Sequence, residues 1–486
     1  MPSAYKMRIG DEWEEADEFF DDINPATEQV IARFPKGTGE DVNAAVDAAL
    51  DSFDGWSETP PPVRGRILRD VAVLLAKDKE RFGRLVATEM GKVLPEALGD
   101  VQEAIDTFEY FAGEGRRLFG NTTTSELRRK FSMTVRKPIG VMGLISPWNF
   151  PFAIPAWKLA PALVCGNTVV FKPSSDTPLC AWELVNLLVK AGVPPGVVNM
   201  VTGPASTVGE AVVKHKDIEG ISFTGSRETG RWITANAGLK KVSLELGGKN
   251  PIIVMDDADL GLAVDGIIWG AFGTTGQRCT AASRVIAHKS IKKKLVDELV
   301  NRAKKLRLGS GLVKTTDVGP LVNKAAVEKT QRYVEIGQKE GAKMLCGGRR
   351  PSGKGYFYQP TIFDNVAKHM RIAREEIFGP VLSVLECGSL DEAIDIANSV
   401  DYGLSSAIYT RDVNKAFRMI EKIDAGLTYV NSSTIGSEVH LPFGGEKRSG
   451  NTREAGILGI DEFSHVKTVY VDYSGKLQRA QIDLEK

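Results

Sequence analysis

The chain has 486 residues, too many for one ordinary hydrophobic core and, at ~150 residues per domain, enough for two to four units. Hydrophobic residues make up 42% and charged residues 26%, which excludes disorder over most of the length. Lys+Arg and Asp+Glu both number 62, so the net charge is zero, and no basic stripe of the kind nucleic-acid binders carry stands out. Cys165, Cys180, Cys279, Cys346 and Cys387 are odd in number, widely spaced and free of any CxxC pair. That usage points to a reducing compartment and argues against a disulfide framework or a metal site.

The N-terminal stretch carries Asp11, Glu12, Glu14, Glu15, Asp17, Glu18, Asp21 and Asp22 where a secretory leader would be apolar, so a cytoplasmic protein is expected. No charge falls between Lys137 and Lys158, but Pro138, Pro147, Pro151, Pro155 and Asn149 interrupt that run. In lipid those interruptions would leave polar groups unsatisfied, so the run reads as a buried strand followed by a loop rather than a membrane span. Val141–Ile145, Thr168–Phe171, Val197–Val201, Ile221–Phe223 and Val242–Leu246 read as strands, with a helix over Ala181–Ala191 that stops at Gly192 and Pro194. This rhythm predicts βαβ units on a parallel sheet. A second α/β series follows: strands at Ile252–Met255, Ser283–Ala287, Val381–Leu385 and Ser405–Tyr409, and helices at Leu260–Gly270, Ser290–Leu308 and Leu390–Ser399. The tail Val466–Tyr473 alternates like a strand that needs a partner, which another subunit could supply.

Five positions invite chemistry, and each has a plain reading beside the functional one. Cys279, in Gly-Gln-Arg-Cys-Thr, is either a small buried hydrophobe or a nucleophile whose own amide donates to an anion. Glu245 interrupts an apolar strand just before Gly247-Gly248. It either points to water or sits at the carboxyl end of a parallel strand, where α/β sheets place ligands and partial burial raises a carboxyl toward a base's range. Asn149 is either a turn residue or an amide donor to an oxyanion, and Lys172 either a strand end reaching solvent or a fixed cation for ribose or phosphate. Gly225-Ser226 through Gly230 follows a strand and opens a helix, a context that suits a phosphate, although it is not a GxGxxG pattern.

Taken together these segments resemble the NAD(P)-dependent aldehyde dehydrogenase superfamily. The resemblance rests on an ordered set: Ser146–Pro151 (SPWNFP), Phe171–Ser174 (FKPS), Phe223–Ser226 (FTGS), Leu244–Pro251 (LELGGKNP), Gly276–Cys279 (GQRC), Glu375–Pro380 (EEIFGP) and Leu441–Gly445 (LPFGG). It extends from Asn24-Pro25-Ala26-Thr27 to the tail. It implies an α/β fold with three parts. These are a Rossmann-like cofactor domain (1–119 and 139–247), an α/β catalytic domain (248–447) and a small β oligomerisation flap (120–138 and 463–486). It implies Cys279 as nucleophile, Asn149 with the Cys279 amide as the oxyanion site, and Glu245 as the base that hydrolyses a thioester. The cofactor set it implies is Ser146, Pro147, Trp148, Lys172, Ser174, Ser175, Gly203, Gly209, Phe223, Gly225, Ser226, Leu246, Glu376 and Phe378.

In the family a glutamate three residues after the lysine often clasps the 2′-hydroxyl of the adenosine ribose. Ser175 stands there, so NADP is favoured over NAD, with Asp176 beside it as a counterweight. Arg278, Ser433 and Thr434 could bind a carboxylate, and Thr434–Gly445 is similar to members acting on semialdehydes; a solvent-facing or structurally paired Arg278 is equally compatible. The expected partners are a small-molecule aldehyde and further copies of the chain, as a dimer or tetramer, without nucleic acid or membrane. The rival readings are a CoA-acylating semialdehyde dehydrogenase, which Glu245 disfavours, a catalytically silent relative, and a cysteine hydrolase, for which none of the five histidines lies in a nucleophile–base motif.

Overall fold

The computed structural model describes residues 2–14 and 16–484. Met1, Glu15 and the last two residues, which fall within the expected segments 1–119 and 463–486, lie outside the described residues. Two seven-stranded sheets organise the chain. In the first, Lys241–Glu245, Gly220–Thr224, Val141–Ile145, Thr168–Lys172 and Val198–Met200 run parallel in that spatial order, and Met7–Ile9 and Glu12–Glu14 extend the edge antiparallel. The register pairs Ile145 with Lys172, Phe223 with Ile145 and Thr224 with Glu245. Four strands therefore end level, and the residues that follow them open onto one edge of the sheet.

The second sheet places Lys343–Cys346, Thr361–Asp364, Val381–Cys387, Ala282–His288, Asn250–Val254, Ser405–Tyr409 and Leu427–Val430 side by side, all parallel except the first pair. The strands expected from the apolar runs are present in both series, displaced by one or two residues at their ends, and the α/β class expected from their rhythm holds. The helix expected over Ser290–Leu308 spans only Lys292–Lys305.

The charge-free run is corrected in its second half. After the strand and a loop, Ala153–Cys165 forms a helix whose every residue is buried. Pro155 falls in its first turn, where a missing N–H costs nothing, and Gly166 closes it in the left-handed region at φ 96°. The long helices Pro61–Lys77 and Leu94–Glu114 pack against it, with Phe108, Phe111, Leu159 and Leu163 in their shared core.

The tail strand finds its partner in its own chain. Ser464–Asp472 pairs antiparallel with Lys130–Pro138 along its whole length, and Thr122–Thr124 completes a three-stranded sheet. Asn167 ties that sheet to the core. Its Oδ1 accepts from the N–H groups of Ile139 (2.7 Å) and Gly140 (3.1 Å), while its Nδ2 donates to the carbonyls of Ala162 (3.0 Å) and Phe463 (2.8 Å). All four capacities of a fully buried amide are used across three elements distant in sequence. Asn167→Ala is expected to destabilise the fold by about 3 kcal/mol, the sum of lost bonds and stranded backbone groups, as read by urea unfolding.

Candidate active site

A cavity of about 110 Å³ opens where the carboxyl edge of the first sheet meets the amino edge of the second. Thr224, Glu245 and Leu246 come from the first; Arg278, Cys279 and Thr280 immediately precede the Ala282–His288 strand of the second. Phe150, Ala153, Ile154, Trp157, Phe443, Ile435–Ser437, Glu103 and Glu454 complete the lining. The structure thus brings Cys279 and Glu245 into one chamber.

Cys279 is partly buried on a loop whose geometry is imposed from outside. Thr274 and Thr275 both sit in the left-handed region, at φ 48° and 58°. For β-branched residues this costs about 1–2 kcal/mol each, so the surroundings must hold them there. Thr275 Oγ1 donates to Gly319 O (2.9 Å), and Gln277 Nε2 donates to Thr274 O (3.2 Å) and Pro320 O (3.3 Å). Asn149 reaches the same loop, donating from Nδ2 to Gln277 O at 3.1 Å, two residues before Cys279. One amide proton of Asn149 is committed and the second is spare. Burial, then the Glu245 and Glu376 carboxylates, push the Cys279 thiol up to about 12, so the resting sulfur is protonated.

Glu245 is buried at the end of its strand, and neither carboxylate oxygen has a hydrogen-bond partner. Burial and the neighbouring Glu454 raise its pKa well above the ordinary value, while Lys158 and Arg453 oppose the shift. Of the two readings of Glu245, the one that points it to water is therefore not met. Lys158 and Glu454, which sequence reading missed, form a buried ion pair of 2.5 Å that Ser222 joins at 2.9 and 3.1 Å. A lone lysine in an otherwise apolar helix was the available signal for Lys158; Glu454 offered none.

A second cavity, of about 440 Å³, lies on the far side of the same sheet edge and is lined by Ile145, Lys172, Gly209, Phe223, Glu228, Thr229 and Trp232 among others. Lys172 is buried rather than solvent-facing; its amine donates to Pro173 O (2.9 Å), and burial lowers its pKa to about 8 against the pull of Asp176. Ser226 caps the Arg227–Asn236 helix through the Thr229 N–H (3.2 Å), so the turn after Thr224 ends at a helix N-terminus as expected. Ser175 Oγ donates to Gly203 O (3.2 Å), and Ser174 Oγ accepts from Asp176 N (3.2 Å). Ser146 is buried, its N–H donating to Lys172 O (3.3 Å), and Pro147 leads from it to Trp148. Glu376 lies between the two sheets, accepting from the Gly248 N–H at 2.9 Å. Phe378 meets Trp148 edge-on, centroids 5.5 Å apart, from a backbone in the left-handed region at φ 60°.

Arg278 lines the Cys279 cavity, but it is already paired. Its Nη2 lies 3.3 Å from Glu96 Oε1, its Nε donates to Thr274 Oγ1 (2.9 Å), and the guanidinium sits over Phe150 and Trp269 at 5.4 and 5.7 Å. Ser433 and Thr434 do not enter the cavity: their hydroxyls donate to Gly266 O (2.8 Å) and Thr280 O (2.7 Å). Their neighbours Ile435, Gly436 and Ser437 line it instead. A run of small polar residues in a loop does not reveal which of them turn inward. Glu103 is the acid that sequence reading missed here, on the helix face that also carries Glu96 and Asp100 at spacings of four and three.

The aldehyde dehydrogenase family model matches residues 13–469. The chain is 44% identical over 485 residues to the alpha-ketoglutarate semialdehyde dehydrogenase of Haloferax volcanii, covering 97% of this chain and 100% of that protein. It is 42% identical over 470 residues to the 2,5-dioxopentanoate dehydrogenase of Saccharolobus solfataricus, covering 95% and 98%. Among solved structures, betaine aldehyde dehydrogenase from Staphylococcus aureus in complex with NAD+ superposes with a TM-score of 0.95 at 36% identity, over 97% of this chain and 95% of that one. The NAD-dependent aldehyde dehydrogenase from Sinorhizobium meliloti gives 0.96 at 36% identity, over 98% and 96%. With a cysteine and a buried carboxyl facing one chamber at the meeting of two sheets, the chain belongs to the aldehyde dehydrogenase family and is an oxidoreductase that acts on aldehydes.

Proposed function

We propose that the chain oxidises carboxylated aldehydes to their acids, with Cys279 as nucleophile, Asn149 as an oxyanion donor and Glu245 as the base of hydrolysis. The observation that carries this reading is the shared lining: Cys279, Glu245 and Arg278 face one narrow cavity. Similar proteins named for alpha-ketoglutarate semialdehyde and 2,5-dioxopentanoate support the carboxylated class.

Cys279 Sγ attacks the aldehyde carbon as the thiolate, its proton leaving to bulk solvent as the proton that the overall oxidation releases, and the carbonyl electrons move to oxygen. The spare Asn149 amide proton and the Cys279 N–H are the donors for that oxyanion. Loss of hydride from the carbon leaves a thioester on Sγ. Glu245 then takes a proton from water as the water oxygen attacks, the C–S bond breaks, and Cys279 is reprotonated. Burial and Glu454 raise the Glu245 carboxyl above its ordinary value, which strengthens it as a proton acceptor, and its place in the chamber favours water over coenzyme A as the acyl acceptor.

NAD(P) supplies the hydride acceptor. The buried Lys172 amine, which donates to the adjacent Pro173 carbonyl, fits a ribose hydroxyl or phosphate, and the Ser226-capped helix start fits a phosphate. Gly209 lines the same cavity, and this reading adds Gly203, which accepts from Ser175, Gly225 in the turn before Ser226, and Glu376 and Phe378 to the cofactor set. NADP is accepted ahead of NAD in this reading, because Ser175 brings a neutral hydroxyl where a carboxylate would repel a 2′-phosphate. The division into a cofactor domain (1–119 and 139–247), a catalytic domain (248–447) and a flap (120–138 and 463–486) goes with it. So does a homo-oligomer: Val466, Tyr470 and Tyr473 on the flap are exposed, as is Val430 on the edge strand of the second sheet. Five free cysteines fit a cytoplasmic setting.

The test is formation of NADPH and NADH with carboxylated and neutral aldehydes, each with and without coenzyme A. Turnover without coenzyme A, fastest on the carboxylated aldehydes, is expected; dependence on coenzyme A would overturn hydrolysis. Cys279→Ala is expected to abolish product while cofactor binding persists. Glu245→Gln is expected to keep the first burst of reduced cofactor and slow the turnover that follows. Burial, reinforced by Asp100 and opposed by Lys92 and Arg278, pushes the Glu103 carboxyl up to about 8. It is therefore neutral at pH 7 and becomes an anion above pH 8. The KM for carboxylated aldehydes is expected to rise through that range, the KM for neutral ones to stay flat, and Glu103→Gln to remove the difference.

A further inference from the structure

The Leu94–Glu114 helix turns Glu96, Asp100 and Glu103 to one side, and two buried or half-buried cations stand against that side. Asp100 pairs with Lys92 at 3.0 Å, both side chains fully buried. Lys92 and Arg278 stack on Phe150, at 3.7 and 5.4 Å from its ring centroid. Glu96 takes part in something tighter. Its Oε2 accepts from the backbone N–H of Thr274 (2.8 Å) and from Thr274 Oγ1 (3.0 Å), and its Oε1 faces Arg278 Nη2 (3.3 Å). Arg278 Nε closes the ring by donating to Thr274 Oγ1 (2.9 Å). A Cβ on Gly273 would come to 2.9 Å from Glu96 Oε1, so the glycine leaves the carboxylate its seat.

Two consequences follow from this ring. Thr274 is the first of the two strained threonines, and Glu96 satisfies both of its donors in that conformation, four residues before Arg278 and five before Cys279. The same carboxylate faces the cation that lines the substrate cavity, and together with the Thr274 hydroxyl that it holds it fills the Nε–Nη2 edge, which would otherwise offer two parallel hydrogen bonds to a carboxylate.

We propose that Glu96 is a positioning and specificity-determining residue: it fixes the Thr274–Thr275 turn that seats Cys279, and it competes with an anionic aldehyde for Arg278. The positioning half stands on the ring alone. The specificity half rests on Arg278 as the ligand of the substrate carboxylate. A bound anion shares Arg278 with Glu96 rather than owning it, which keeps the affinity for carboxylated aldehydes moderate and leaves room for neutral ones.

Glu96→Gln and Glu96→Ala separate the two roles. Glutamine keeps an oxygen acceptor for Thr274 and loses the charge; alanine loses both. The KM ratio of succinic semialdehyde to propanal is expected to fall about tenfold in Glu96→Gln, the scale of one released charge contact. The rate of Cys279 alkylation by iodoacetamide, read against a Cys279→Ala background, is expected to fall tenfold or more, roughly, in Glu96→Ala and to be restored in Glu96→Gln. An unchanged KM ratio in Glu96→Gln overturns the competition, and wild-type alkylation in Glu96→Ala overturns the positioning. Arg278→Gln isolates the underlying assignment. If it leaves the discrimination between the two aldehydes intact, Arg278 is not the carboxylate ligand and the specificity half falls with it, while the alkylation result still decides the positioning half.

Discussion

The site depends on a joint of two glycines that have no room for a side chain. A Cβ on Gly247 would run into the Glu376 carboxylate, and one on Gly248 would stand 2.5 Å from the carbonyl oxygen of Cys279. These residues link the last strand of the first sheet to Asn250–Val254 of the second. They let Glu245 and Cys279, 34 positions apart in sequence, face one cavity. Asn250 secures the joint from its other end, donating from Nδ2 to Cys279 O (2.8 Å) and Ala281 O (2.9 Å). A larger residue at Gly248 would push the nucleophile loop off the sheet edge that carries Glu245, and one at Gly247 would displace the Glu376 carboxylate.

Around that joint the protein holds an unusual amount of charge out of water. Lys158 with Glu454 and Lys92 with Asp100 are buried pairs, and Arg278 with Glu96 is nearly so. Such pairs are a poor source of stability, since desolvation cancels most of the attraction. Their effect is positional and electrostatic. Glu454 helps to keep the Glu245 carboxyl high and Lys158 restrains it, while Glu96 sets the charge that the substrate cavity presents. Glu245, neither of whose carboxyl oxygens has a hydrogen-bond partner, stands in the chamber that Cys279 lines.

How much of this was legible varies residue by residue. The Val141–Ile145 and Val242–Leu246 runs were readable because apolar β-branched stretches ending in loop-forming residues depend on neighbours in sequence. The Ala153–Cys165 helix was not, because two prolines and an apolar surface all round erase the period that marks a helix. Cys279, Glu245 and Lys172 were picked out as anomalies within local patterns, and the structure places all three beside cavities. Ser433 and Thr434 were misread, since their hydroxyls are spent on carbonyls of Gly266 and Thr280, far away in sequence. Glu96, Glu103 and Glu454 look like ordinary surface acids on the page of letters.

The sequence by itself determined the α/β class, the order of most strands from residue 141 onward, the family, and the identity of the cysteine and the glutamate. These follow from local periodicity and from motifs that survive as contiguous strings. Only the tertiary structure decided that Glu245 is buried without a partner, that the tail strand pairs with Lys130–Pro138 of its own chain, and that Arg278 is held by Glu96 across 182 positions of sequence. The reason is physical: the state of a charge is set by the dielectric and the groups around it in space, and a sequence specifies those only after the chain has closed on itself.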